Sequence, residues 1–303
     1  MTAPPSPFGS VLTAMITPFS PDGALDIDGA VAIARHLVAS GNDGLVIAGS
    51  TGESAMLSDD ERIALWREIA SAVSVPVVAG STTGDTRHSV ALTKEADSAG
   101  VAGILATTPY YTRPSQSGIG QHFEAIAAAT TLPVILYDIP SRTGRRLSAG
   151  TILSLLATRP NVIGLKDAAG DVAASARLLA SAPAGFALYS GDDSLTLPLL
   201  SVGACGVVGV ATHWCAPEMK EMIASFFAGD VSRAVSLHRA MLASFAFESS
   251  DDAPNPLPSK AVLRAQGLPA GQCRLPLGDA PASLDEAARD VLDALDKWRA
   301  GRS

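Results

Sequence analysis

Cysteine is scarce in this chain of 303 residues, which has only Cys205, Cys215 and Cys273. Three scattered thiols cannot form a disulfide framework, and no Cys-x-x-Cys pair is present to hold a metal, so reduced thiols in a cytoplasmic protein are expected. Aromatic residues make up 5% of the chain and charged residues 17%. Lys and Arg number 22 against 30 Asp and Glu, a formal charge of −8, and no run of five or more like charges occurs. Nucleic acid is an unfavourable partner for such a chain, because phosphate contacts need clustered basic groups. Long apolar runs are missing too: mean hydropathy is +0.26, yet no run approaches the roughly 18 residues of a membrane span. The opening Met1-Thr2-Ala3-Pro4-Pro5-Ser6-Pro7 has neither a basic nor an apolar segment, so no signal peptide is expected. His36, His88, His122, His213 and His238 lack metal-ligand spacing, and no Walker A or strand-linked Gly-x-Gly-x-x-Gly motif occurs. Neither a metal nor a nucleotide cofactor is expected.

What the chain does have is apolar residues, 47% of the total, arranged in short runs. Eight runs end in turn signals, at 11–17, 44–48, 75–79, 103–107, 134–137, 162–166, 186–189 and 206–210. Each is a continuous stretch of Val, Ile, Leu and Ala with no alternation, the pattern of parallel strands buried on both faces. Segments of helical period separate them, one opened by the capping-box sequence Ser58-Asp59-Asp60-Glu61. Strands recur roughly every 20 to 30 residues, the span of one β/α unit in a TIM barrel. After the eighth run only helical pattern follows, at about 215–228, 230–248, 258–266 and 283–300. Ser283-Leu284-Asp285-Glu286 offers a second capping box for the last of these. The expected architecture is an α/β (β/α)8 barrel, residues 1–229, with a C-terminal helical domain, residues 230–303.

Active sites of such barrels lie at the C-terminal ends of the strands. Lys166 directly follows the apolar Val162-Ile163-Gly164-Leu165. Its amine should sit at the barrel mouth between apolar walls, where desolvation favours the neutral, nucleophilic form that makes Schiff bases with ketones. The plainer alternative is an ion pair with Asp167 or a side chain that reaches solvent. Ser50, Thr51, Tyr110, Tyr111 and Tyr137 also end strands and supply hydroxyls for proton transfer. Arg142 offers a planar fork for a carboxylate. The adjacent Asp192 and Asp193 have diverging side chains, and their charge argues against a phosphorylated substrate.

These motifs together resemble the dihydrodipicolinate synthase / N-acetylneuraminate lyase family of class I pyruvate-dependent lyases. Gly49-Ser50-Thr51-Gly52-Glu53 is similar to the family's pyruvate-carboxylate loop, and the Lys166 strand to its Schiff-base strand. Thr108-Pro109-Tyr110-Tyr111, Tyr137-Asp138-Ile139-Pro140-Ser141-Arg142-Thr143-Gly144 and Ser190-Gly191-Asp192-Asp193 resemble its dihydrodipicolinate synthase branch. The resemblance implies condensation of pyruvate with L-aspartate 4-semialdehyde to 4-hydroxy-tetrahydrodipicolinate, in the diaminopimelate route to lysine. It implies that Lys166 forms the imine and that Tyr137 is the general acid/base. Ser50 and Tyr111 complete the relay, Tyr111 reaching in from a neighbouring subunit of a tetramer built from dimers. Thr51 with Ser50 holds the pyruvate carboxylate, Arg142 holds the semialdehyde carboxylate, and Gly191 and the Val208 carbonyl line the pocket.

Three departures stand out. Ser50 replaces the first of two usual threonines, keeping the hydroxyl. Lysine-inhibited members carry two histidines, an Asn and a Glu where this chain has Asp59, Arg62, Gly84 and His88, so lysine feedback is expected to be weak or absent. Ala253-Pro254-Asn255-Pro256 lacks the acidic residue that often precedes this motif, and it suggests no function. Two other readings remain: an aldolase for a 2-keto-3-deoxy sugar acid, and a non-catalytic barrel serving as a binding protein.

Overall fold

The computed structural model describes residues 3–301. Met1 and Thr2, from the expected leaderless start, and Arg302 and Ser303, from the end of the expected helical domain, lie outside the described residues. Eight strands close a barrel in sequential order: β1 Val11–Ala14, β2 Gly44–Ile47, β3 Val77–Gly80, β4 Gly103–Thr107, β5 Val134–Asp138, β6 Val162–Asp167, β7 Ala187–Ser190 and β8 Gly206–Gly209. All neighbours pair in parallel, β8 returning to β1. This is the expected (β/α)8 barrel. The first strand is shorter than the apolar run, because beyond Ala14 the backbone leaves the regular ladder. Met15 N–H bonds the Val46 carbonyl at 3.0 Å, and Ile16 N–H donates to Nε2 of the buried His213 at 3.2 Å.

The helices are α1 Ile27–Ala39, α2 Asp59–Ala72, α3 Thr86–Ser98, α4 Gln116–Ala128, the short α5 Pro140–Thr143, and α6 Ala149–Thr158. They continue with α7 Val172–Leu179, α8 Thr196–Leu200, α9 Thr212–Ala228, α10 Val231–Phe247, α11 Leu257–Ala265 and α12 Leu284–Ala300. Among the described residues no helix is long and apolar enough to cross a membrane. The capping box expected at Ser58 forms: Glu61 N–H donates to Ser58 Oγ at 3.2 Å, and Ser58 N–H to Glu61 Oε2 at 2.9 Å. The one expected at Ser283 does not. Ser283 has helical dihedrals and makes no side-chain cap bond, because a turn closed by Leu284 N–H on the Pro281 carbonyl at 2.9 Å already curls it. A cap residue needs extended backbone to aim its hydroxyl at the first turn.

Apolar side chains divide into two clusters, as strand alternation requires. An inner one, including Leu12, Val46, Val78, Leu105, Ile135 and Val208, fills the barrel. A larger one packs between strands and helices. The loop after β2 is fastened to the C-terminal region by an ion pair taken wholly out of water. Lys260 Nζ of α11 lies 2.5 Å from Glu53 Oε1, and both side chains are buried. Lys260 Nζ also donates to the Gln272 carbonyl at 2.7 Å, and Arg274 N–H donates to Glu53 Oε2 at 2.9 Å. Phe19 lies between two cations, its ring 4.6 Å from Lys260 Nζ and 4.1 Å from the Arg274 guanidinium carbon.

Breaking a buried pair from one side strands a charge, which costs about 3–5 kcal/mol. Lys260→Met should therefore lower stability to chemical denaturation by that amount. Adding Glu53→Gln should restore most of the loss, since no ionised group then remains buried. Denaturant titration of the two variants measures both.

Candidate active site

Register places the reactive side chains. Tyr137 of β5 pairs with Lys166 of β6, and Lys166 with Tyr189 of β7. In-register residues of neighbouring parallel strands face the same side, so Lys166 shares the inward row with two aromatic rings. The next row, Asp138, Asp167 and Ser190, faces the helices. Asp167 therefore does not pair with Lys166: its carboxylate accepts from Ala169 N–H at 2.9 Å and from the Ser175 hydroxyl. Burial pushes the Asp138 carboxyl up to about 6, with the Asp167 charge adding to it.

Lys166 is 4% exposed, and its Nζ lies 4.3 Å from the centre of the Tyr137 ring. Burial pulls its pKa down to about 8, and Arg142 pulls the same way while Asp193 and Glu248 oppose. The expectation of a desolvated amine at the barrel mouth matches this geometry. Tyr137 is itself buried and shares the cavity lining with Ser50, and burial holds its proton far more tightly than an ordinary phenol's. Gly191 lies beside the amine's stem: a Cβ there would stand 3.0 Å from Lys166 Cγ and 2.9 Å from the Ala168 Cβ. Any larger residue would displace the nucleophile.

A cavity of about 300 Å³ joins Ser50, Thr51, Tyr137, Arg142, Lys166 and Gly191. It continues outward into a second space of about 430 Å³, bordered by Thr107, Tyr110, Tyr111 and Arg142. Tyr111 is in the left-handed region (φ 71°) and is 92% exposed; it borders the outer space and does not line the cavity around Lys166. Val208 lies within the barrel's inner cluster, and Val210, two residues further on, lines the cavity. Asp192 accepts from the N–H and hydroxyl of Ser194, at 3.0 and 2.7 Å. Asp193 turns the other way and is buried. Among the described residues no three His, Cys, Asp or Glu side chains gather into a metal site.

Two contributors come from the helical region and carried no functional signal in the sequence. Asn255, within the Pro-Asn-Pro segment, donates from Nδ2 to Thr51 Oγ1 at 2.9 Å, and its carbonyl accepts from Arg142 Nη2 at 3.5 Å. Glu248, just past α10, lines the same cavity as Lys166. A strand-end search cannot find residues more than 80 positions downstream of Lys166. The prolines around Asn255 were the available hint, since they fix a turn at one place in the chain.

Comparison with known proteins agrees with this geometry. The chain is 50% identical over 272 residues to a 4-hydroxy-tetrahydrodipicolinate synthase of Moorella thermoacetica, covering 89% of this chain and 92% of that protein. A crystal structure of dihydrodipicolinate synthase from Bacillus anthracis superposes with a TM-score of 0.90 at 40% identity, covering 94% of this chain and 98% of that one. A Cyanidioschyzon merolae counterpart, crystallised with lysine bound, superposes with a TM-score of 0.91 at 41% identity, covering 95% and 98%. With a buried barrel-mouth lysine against the Tyr137 ring and a family model that matches residues 7–295, the chain belongs to the dihydrodipicolinate synthetase family.

Proposed function

We propose that this chain is a 4-hydroxy-tetrahydrodipicolinate synthase, a lyase that condenses pyruvate with L-aspartate 4-semialdehyde. The observation that carries the reading is the buried Lys166 nitrogen above the Tyr137 ring, at the floor of a cavity with Arg142 at its rim. With its pKa near 8, Lys166 is neutral in a useful fraction of molecules at neutral pH and attacks the pyruvate ketone. The carbinolamine hydroxyl leaves as water after gaining a proton, which Tyr137 supplies and Ser50 helps to replace. Thr51 and Ser50 hold the pyruvate carboxylate, beside Gly191 and Val208. The iminium then gives up a methyl proton to the Tyr137–Ser50 relay, the resulting enamine attacks the semialdehyde carbonyl, whose oxygen takes that proton, and hydrolysis of the new imine frees Lys166.

Arg142 receives the semialdehyde carboxylate through its guanidinium fork. Tyr111 completes the relay from a second copy of the chain, and its exposed ring supports that reading. Residues 230–303 act as a helical domain that closes the mouth with Asn255, and pairs of dimers make a tetramer. The three unpaired cysteines fit a cytoplasmic setting.

Incubating the protein with pyruvate and borohydride should add pyruvate's reduced mass to Lys166, with the rate rising as pH passes through about 8. Lys166→Ala should give neither adduct nor turnover; a variant that still turned over at a comparable rate would sink the imine mechanism. Arg142→Ala should still trap pyruvate, yet lose about 10- to 100-fold in kcat/KM for the semialdehyde, as removal of a charged hydrogen-bonding partner predicts. An undiminished value would favour a neutral aldehyde substrate and the sugar-acid aldolase reading.

Lysine should inhibit weakly or not at all. Asp59 is paired with His88 at 2.8 Å, and the buried Arg62 guanidinium, bonded to the Ser54 carbonyl at 2.6 Å, repels an ammonium. Steady-state rates in excess lysine test this, and strong inhibition at low lysine would refute it.

A further inference from the structure

Beside Lys166 are two carboxyl groups that the chemistry above leaves unused. Asp193 begins the short turn Asp193–Leu195 after β7, and Glu248 follows α10. Consecutive N–H groups beyond β8 fasten them: Val210 donates to Asp193 Oδ2 at 2.8 Å and Ala211 to Glu248 Oε1 at 3.2 Å. Asp193 is 1% exposed, and its Oδ1 meets no protein N–H or hydroxyl among the described residues. The space for that oxygen exists because residue 209 is glycine, where a Cβ would lie within van der Waals overlap of it. Because Val210 and Ala211 are consecutive, their N–H groups bring the two carboxyl groups side by side, with Asp193 Oδ1 left short of a donor. Two carboxylates side by side out of water repel and have no hydrogen to share, whereas a proton on one of them gives the unpartnered oxygen its donor.

We propose that Asp193 and Glu248 hold one proton between them and present a single negative charge to the Lys166 nitrogen, as positioning residues for imine formation. The inference rests on Lys166 as the imine-forming residue. Its logic is charge balance. The neutral amine's lone pair makes the C–N bond while the carbonyl π pair moves to oxygen. The carbinolamine hydroxyl then departs with one proton as water, leaving the nitrogen as an iminium cation. A doubly ionised pair would hold Lys166 as ammonium, which has no lone pair to attack with. An uncharged pair would leave the substrate's own carboxylate as the single negative charge against two cations, the iminium and Arg142, in a buried site. One proton on two carboxyls meets both demands.

The neighbours fit this assignment. Burial holds the Glu248 proton well above the ordinary carboxyl range, and the charges of Asp193 and Asp192 add to the effect. Arg142 faces Lys166 from α5 with the opposite influence, and Tyr137 covers it from β5. Cys215 of α9 borders the pair as a neutral thiol, kept protonated by burial and by both carboxyls.

Amide substitutions count the proton. In Asp193→Asn or Glu248→Gln the new N–H donates where the shared proton sat, and the pair keeps one negative charge. The pH midpoint of borohydride trapping on Lys166 should therefore stay near the wild-type value in each single variant. The double variant has no charge left, and its midpoint should fall by about one pH unit or more. Equal, additive shifts in the singles, or a double variant that titrates like wild type, would overturn the proposal. Melting curves on all three exclude loss of fold as the cause.

Infrared difference spectroscopy of wild type against Glu248→Gln gives a readout that needs no pyruvate. A neutral carboxylic-acid band at neutral pH, shifted by deuterium exchange, is expected, and carboxylate bands alone would refute the shared proton. Should wild type show that band but no Lys166 adduct, the lyase reading fails while the shared proton stands.

Discussion

The buried ion pair between Glu53 and Lys260 is the constraint on which the geometry of the mouth depends. Glu53 is the last residue of the loop that carries Ser50 and Thr51, and its backbone is in the left-handed region, with φ 56°. A non-glycine residue holds that conformation only when its surroundings over-determine it. Here they do: Lys260, the Arg274 N–H and the cations around Phe19 all converge on the Glu53 carboxylate or beside it. The pair thus fixes the hydroxyls of the loop relative to a helix that lies outside the barrel. The Asn255 bond to Thr51 repeats the connection one turn nearer the cavity. Residues past β8 are therefore part of the barrel's mouth, and their removal would leave the β2 loop without its anchor.

Within that frame the nitrogen's charge is set by competing neighbours. Burial and Arg142 favour the neutral amine, while Asp193 and Glu248 favour the cation. In the proposed reaction the same Arg142 that disfavours an ammonium at Lys166 would draw a carboxylate to the rim, so one guanidinium would serve both the nucleophile and the incoming acid. Because the mouth is closed to bulk water around Lys166, these charges act at short range with little screening. Small changes in their number have large effects on the nucleophile.

Most of the fold was legible because continuous apolar runs can be satisfied only by strands buried on two faces, and eight of them in sequential order close on themselves. Lys166, Tyr137, Ser50, Thr51, Arg142 and Gly191 were legible for a related reason. Each ends a strand or follows one, where chain order and spatial position coincide, and all border one cavity. Glu248, Asn255 and Lys260 were not, since their roles depend on where a long helical excursion returns. Periodicity locates a helix but not the partner of its last residue. Ser283 failed differently: the capping-box letters were present, but a turn closed on Pro281 bends the backbone away from the extended form the box needs.

Asp192 and Asp193 show how far adjacency in sequence misleads about adjacency in space. Read alone, the two carboxylates repel and diverge, and they do diverge: one caps a turn through Ser194 while the other points into the interior. Asp193 comes beside Glu248 because that residue, just past α10, accepts from the N–H of Ala211, next to the Val210 N–H that holds Asp193. An ionised carboxylate there would be costly in isolation. It becomes tolerable once Val210 N–H, a proton on Glu248 and the cationic form of Lys166 share the load. The buried carboxyl pair and the buried amine are thus one electrostatic unit. The charge that burial disfavours on Asp193 is the charge that the proposed iminium would need.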